Sequence, residues 1–237
     1  MTAGPASGTL EEPQVRAMFD RIAGVYDRMN AVMTVGMHDD WRKRSADLAE
    51  LSPGERALDV ATGTGDLAIE LERRVRPGGE VVGVDFSERM LELARGKAET
   101  LPGIRFEQGN ALELAFGDAE FDAVTVGFGA RNFSDLRRGV AEMARVTKPG
   151  GRVVVLEFTT PRKPPLSWFF SLWFDRAVPR LGRLAGDPDA YSYLPASVRR
   201  FPDPRGLAGE LAAAGLTGVR WLVTAGGIVT IHVGRKP

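Results

Sequence analysis

The chain has 237 residues, with 31 lysines and arginines against 31 aspartates and glutamates, so its formal net charge is zero and gives no sign of general affinity for nucleic acid. It contains no cysteine, which excludes disulfides and thiolate chemistry and suits a cytoplasmic protein; two histidines leave little room for a histidine-rich metal site. At 43% hydrophobic and 26% charged residues, it can bury a substantial core as a single α/β domain with additions.

Residues 1–12 read as a disordered tail without the apolar core of a signal peptide. From Pro13 a helical pattern places Val15, Met18, Phe19 and Ile22 on one face. Tyr26 follows, then Met29, Met33 and Met37 at i, i+4 and i+8, a spacing that suits a helix packing face. Such a helix would also close over an apolar substrate, with Tyr26 offering a hydroxyl. Asp39 to Leu51 forms a further helix, ended by Ser52-Pro53-Gly54. Residues 13–52 are thus a helical cap set before the first strand.

Ala57-Leu58-Asp59-Val60-Ala61 reads as a buried strand that breaks into Thr62-Gly63-Thr64-Gly65. A helix starts at Asp66 as its N-cap, and a second strand, Val81–Val84, ends on Asp85. Strand, glycine turn, helix, strand and acid make half of a nucleotide-binding sheet, with Asp85 placed to accept both hydroxyls of a ribose. Gly63-Thr64-Gly65-Asp66-Leu67-Ala68 fits the dinucleotide pattern, so a nicotinamide cofactor stays open. Asp59 within the strand and Asp66 at the helix N-terminus favour a cofactor with a ribose and no phosphate. The cationic candidate is S-adenosylmethionine, whose amino-acid end or sulfonium Asp59 would attract.

The alternation continues. Ser87 caps a helix through Ala94, Ile104–Glu107 is a third strand, and Gly109-Asn110-Ala111 follows it. Phe121–Val126 is a fourth strand, with Gly127-Phe128-Gly129-Ala130-Arg131-Asn132 leaving its C-terminal end. Asp135–Thr147 is helical, stopped by Lys148-Pro149-Gly150-Gly151, and Arg152–Phe158 is a fifth strand. This order predicts a parallel sheet in which the loops Thr62–Gly65, Asp85, Asn110–Ala111 and Gly127–Asn132 converge at one end.

Residues 159–203 form a helical and loop insertion read as a substrate cover. Leu166–Phe174 places five aromatics in nine residues, and Leu166, Phe170, Trp173, Ala177, Leu181 and Leu184 share one helical face. Trp168 and Phe169, off that face, suit a wall for a prenyl tail or a peripheral contact with a bilayer. Its longest uncharged apolar stretch, Pro164–Phe174, falls short of the roughly 20 residues of a membrane span. After a loop at Tyr191–Pro202, Gly206–Ala214 is helical, and Val219–Thr224 with Ile228–Val233 forms a closing hairpin.

YDRMNAVMTVGMHDDWR at 26–42, LDVATGTGD at 58–66, FGARN at 128–132, KPGG at 148–151, YSYLPASVRRFPD at 191–203 and TAGGIVTIHVGRKP at 224–237 give the chain its character. In these segments it resembles the ubiquinone/menaquinone-biosynthesis C-methyltransferases, a branch of the Rossmann-like S-adenosylmethionine methyltransferases. The resemblance implies a seven-stranded, mostly parallel sheet with one antiparallel strand and helices on both faces. It implies cofactor contacts at Asp59, Gly63, Thr64, Gly65, Asp85, Asn110, Ala111 and Gly127, and substrate contacts at Phe128, Phe170 and His232. Three positions depart from the family's usual residues: Gly127, where serine is frequent, Ala130 for leucine, and Ala196 for glutamate.

Methyl transfer to a ring carbon displaces a leaving group that is already activated, so the acceptor must be made electron-rich. A polyprenylated quinol becomes so when its ring hydroxyl loses a proton. Arg131 and Asn132 would then hold the oxyanion, and a water on Arg131, or Tyr26, would take the proton. The resemblance favours demethylmenaquinol as acceptor, with benzoquinol methylation in ubiquinone biosynthesis as the alternative. From other classes, a nicotinamide-dependent reductase and a non-catalytic cofactor-binding subunit remain open. A homodimer is compatible with this reading.

Overall fold

The computed structural model describes residues 12–34, 36–161, 164, 167–168, 172 and 188–237. Seven strands, β1 (Arg56–Val60), β2 (Glu80–Asp85), β3 (Ile104–Gln108), β4 (Phe121–Gly127), β5 (Thr147–Phe158), β6 (Thr217–Thr224) and β7 (Val229–Arg235), form one sheet in the order β3-β2-β1-β4-β5-β7-β6. All neighbours are parallel except β7, which runs antiparallel to both β5 and β6. The chain winds outward from β1 through β2 to β3, then returns to β4 on the other side. The order therefore reverses between β1 and β4, where a sheet of this kind opens a crevice beyond its strand C-termini.

The helices are α1 (Glu12–Thr34), α2 (His38–Leu48), α3 (Asp66–Val75), α4 (Glu88–Lys97), α5 (Leu136–Val146), α6 (Pro188–Arg200) and α7 (Pro204–Ala213). Alternation along each strand divides the core into two layers. Ala57, Val81, Ala123 and Val154 pack with Leu67, Leu71, Leu91 and Ala94 of α3 and α4. Leu58, Val82, Val124 and Val153 pack with Val140, Met143, Leu207 and Leu211 of α5 and α7. A third, smaller cluster joins Val15, Met18 and Ile22 of α1 to Tyr193 of α6.

Several expected boundaries move. Glu12, the last residue of the predicted tail, is already helical, and the rest of that tail, 1–11, lies outside the described residues. The methionine stripe is not one helix, because α1 ends at Thr34 and Gly36 takes φ +74° before α2, leaving Met37 exposed. The N-cap of α3 is Gly65 at φ +83°, a conformation glycine adopts without a steric penalty. A Cβ there would also approach Phe106 Cζ to 2.9 Å. Asp66 is instead the first helical residue, paired with Arg42 at 3.0 Å and Lys97 at 2.6 Å. Lys148–Gly151 does not separate α5 from β5: β5 runs through it, and the three extra residues are absorbed in a register shift against β4. The expected loop at Tyr191–Pro202 is largely the helix α6, which carries Pro195 in its interior.

Candidate active site

The converging loops and α1 enclose a cavity at the C-terminal end of the sheet. Its walls come from Ala61 and Gly63 after β1, Asp85 and Phe86 after β2, and Gly109–Leu112 after β3. Gly127–Gly129 and Asn132–Ser134 after β4 complete them, with Glu12, Phe19 and Tyr26 of α1 as a cover. Of the sequence-derived residues, Gly63, Asp85, Asn110, Ala111, Gly127, Phe128, Asn132 and Tyr26 are thus brought together.

Asp85 is the polar anchor. Its carboxylate accepts the Gly63 N–H at 2.8 Å and the Ser87 N–H at 2.9 Å. Burial pushes its pKa up to about 6, against the lowering effect of the N–H groups of Ser87, Gly63 and Phe86. Asp59 lies beneath the glycine loop and accepts the hydroxyls of Thr62 at 2.7 Å and Thr125 at 2.6 Å, tying β1 to β4 at the crevice. Burial raises it to about 6 as well. It does not line the cavity, and neither does Gly65. Thr64 is turned away too: its hydroxyl donates to Asp27 at 2.7 Å and accepts from Lys97 at 2.9 Å.

The residues present fit a ribosyl cofactor. Gly63 has φ +55° and open space where a Cβ would stand, so its backbone can be approached closely. Asp85 offers the ribose acceptor beside it, and Ala111, Met90 and Phe86 give an apolar wall. Glycine at 127 suits the packing, since a Cβ there would come within 3.1 Å of Leu67 Cδ2.

The segment after β4 is the most constrained part of the site. Phe128 has φ +58°, an outlier for a bulky residue, and its ring packs against Phe158 at 4.6 Å and Trp41 at 6.2 Å. Asn132 closes a short 3₁₀ turn, Ala130–Asn132, and faces the cavity. Arg131 does not line the cavity, contrary to the expectation that it grips the acceptor directly. Its guanidinium, 7% exposed, donates to Glu157 at 2.8 Å, bonds the Phe128 carbonyl and lies over the Phe158 ring at 5.6 Å.

Glu157 was missed in the sequence. It is wholly buried, and its carboxylate also accepts the Phe158 N–H at 2.8 Å and the Arg131 N–H at 3.2 Å. Three acids on α1 were missed too, and each holds one loop of the site. Glu12 accepts from Asn110 at 2.9 Å, Asp20 from Ser87 at 2.5 Å, and Asp27 from Thr64 and Lys97. The only sequence signal was their spacing, which puts them on one side of a helix.

His232 stands apart. It is fully buried in β7, and its Nε2 donates to the Pro204 carbonyl at 2.8 Å, while Nδ1 has no partner among the described residues. Burial lowers its pKa, so it is a neutral structural histidine stacked on Trp221, remote from the cavity walls. Phe170, with Phe169 and Trp173, lies outside the described residues.

The sequence pattern of the ubiE/COQ5 methyltransferase family matches residues 8–236. The chain belongs to this family. A demethylmenaquinone methyltransferase of Thermus thermophilus is 47% identical over 222 residues, covering 93% of this chain and 100% of its own. One from Deinococcus radiodurans is 47% identical over 224 residues, covering 94% and 92%. Among solved structures, a methyltransferase described as a possible histamine N-methyltransferase from Thermotoga maritima superposes with a TM-score of 0.66 at 19% identity. That match covers 94% of this chain and 99% of the other, and shows the shared Rossmann-like methyltransferase fold. The chain is thus a methyltransferase of the S-adenosylmethionine-dependent class.

Proposed function

We propose that the protein transfers a methyl group from S-adenosylmethionine to a ring carbon of demethylmenaquinol. The observation that carries this reading is one cavity holding the Asp85 carboxylate on its nucleotide side and the Asn132 amide on the side reached from β4. The names of the relatives favour a naphthoquinol over a benzoquinol acceptor.

S-adenosylmethionine, when bound, supplies an activated methyl group. The chain's own residues do the rest. Asp85 would receive the ribose hydroxyls, and Asn110 and Ala111 would lie along the adenine. Asn132 donates to the acceptor's ring oxygen and stabilises the charge that develops there. Arg131 acts from behind the turn: its charge is held by Glu157, and it fixes the backbone that carries Asn132. Tyr26, on the α1 wall, relays the proton from the acceptor's ring hydroxyl to solvent. Phe128 and Phe133 keep the acceptor's surroundings apolar, so that Asn132 works in a low local dielectric.

No helix of the described residues is long and apolar enough to cross a membrane. Trp168 and Leu172, 72% and 54% exposed, follow β5 out of the sheet and suit a peripheral apolar contact for a prenylated acceptor. Cells lacking the protein should accumulate demethylmenaquinone. A benzoquinone precursor accumulating instead would transfer the activity to the ubiquinone branch.

Asp85 also sets a pH dependence. Its folded pKa of about 6 lies above the ordinary 3.8, so the folded chain keeps a proton that the unfolded chain releases. The stability this gives is present at low pH and lost as pH rises through about 6. Cofactor binding should run the opposite way, because ribose hydroxyls donate best to the ionised carboxylate. Calorimetry with S-adenosylhomocysteine should show affinity rising up to about tenfold from pH 5 to pH 7. Asp85→Asn should bind weakly with no such rise; an equal rise in that variant would assign the titration elsewhere.

A further inference from the structure

The segment YSYLPASVRRFPD carries much of the family resemblance, yet the mechanism above uses none of it. In the structure most of it is α6, which packs on α1 and on the 3₁₀ turn Ala130–Asn132. Tyr193 is the residue of α6 with a hydrogen bond to that turn. It is buried, belongs to the same cluster as Val15, Met18 and Ile22, and has the Arg200 guanidinium over its ring at 5.7 Å. Its hydroxyl donates to Asn132 Oδ1 at 3.2 Å.

We propose that Tyr193 is a positioning residue that orients the Asn132 side chain, so that the amide's N–H group, and not its oxygen, faces the quinol oxygen. This rests on the acceptor reading given above. An amide has an acceptor at one end and a donor at the other, and only the donor end stabilises an oxyanion. Rotated by half a turn, Asn132 would present a second oxygen to the developing charge and oppose it. Among the described residues, Asn132 Nδ2 makes no hydrogen bond, while Oδ1 is taken by Tyr193. The backbone of the turn is fixed separately, by the Glu157 carboxylate on the Arg131 N–H and by the Asn132 N–H on the Gly129 carbonyl at 3.0 Å. The one freedom left is the amide's own rotation, and Tyr193 removes it: the Arg200 side chain donates a hydrogen bond to the phenol oxygen, which leaves the hydroxyl to act as donor to Asn132. Burial raises the Tyr193 pKa above 10.0 despite the nearby arginines, so the phenol keeps its proton and remains a donor at neutral pH.

A double-mutant cycle tests this on the full chain. Tyr193→Phe keeps the ring and deletes only the hydroxyl, so it should lower kcat roughly five- to tenfold with S-adenosylhomocysteine affinity unchanged. In the Asn132→Ala background the same change should have no further effect on kcat. A second arm measures binding of 1,4-naphthoquinone to the protein loaded with S-adenosylhomocysteine. Tyr193→Phe should weaken that binding by a similar factor when Asn132 is present, and not when it is absent. Wild-type kcat in Tyr193→Phe, equal losses in both backgrounds, or quinone binding indifferent to Tyr193 would each overturn the proposal. A wild-type protein that makes no methylated quinol counts against the acceptor reading, and the quinone-binding arm then decides the Tyr193–Asn132 coupling by itself.

Discussion

Asn132→Ala is expected to lower turnover by about 10²–10³-fold while leaving S-adenosylhomocysteine affinity nearly intact. The expectation follows from position: Asn132 leaves β4 on the acceptor side of the cavity, and its donor end has no competing partner among the described residues. Asp85→Ala should show the reverse pattern, because Asp85 ends β2 on the nucleotide side. There the ribose hydroxyls would lose their charged acceptor, weakening cofactor binding by roughly 10- to 100-fold. Titrating both variants by calorimetry beside a product assay separates the two effects. If Asn132→Ala loses cofactor affinity as badly as Asp85→Ala, Asn132 belongs to the cofactor half of the site and the mechanism loses its donor.

The second large effect concerns folding. Glu157→Ala should destabilise the protein by about 3–5 kcal/mol, since it leaves the Arg131 guanidinium buried without its counter-charge. The Arg131 and Phe158 N–H groups would lose their acceptor at the same time. Replacing the pair together, as Arg131→Met with Glu157→Leu, should recover the part of that loss due to the unpaired charge but not the part due to the two N–H groups, which still lack an acceptor. Turnover should stay low in the double variant, since the turn that presents Asn132 is no longer pinned. Urea denaturation measures the first effect and a product assay the second. A Glu157→Ala protein within about 1 kcal/mol of wild type would show that the ion pair is better solvated than its burial implies.

The two halves of this site differ in how openly the sequence displays them. The position of the half proposed for the nucleotide was legible because it is local: a strand, Gly63 and Gly65, and an acid at the end of the next strand follow each other within one βαβ unit. The acceptor half depends on partners far apart in the chain. Glu157 sits at the end of Val153-Val154-Val155-Leu156, where it reads as the polar end of an apolar strand, and its partner Arg131 lies 26 residues earlier. Arg131 itself was expected in the cavity because its loop is there, but the same turn that aims Asn132 inward aims Arg131 at Glu157. Tyr193 was hidden because Pro195 and the mixed polarity of its neighbours obscured the helical period of α6. His232 was correctly placed in an alternating strand, but alternation could not reveal that the Pro204 carbonyl holds it away from the site. Thr64 shows the limit of carrying a role across by position, since its hydroxyl is engaged by Asp27 and Lys97 of the cover and of α4.

The central claim, carbon methylation of a quinol ring, is tested most directly by mass spectrometry of the product. The purified protein would be given reduced demethylmenaquinone and S-adenosylmethionine carrying a deuterated methyl group. The expected result is menaquinol with the label on the ring carbon, lost in Asn132→Ala and resistant to conditions that cleave ethers. Label recovered on a ring oxygen, or no labelled quinol at all while S-adenosylhomocysteine binds normally, would contradict it.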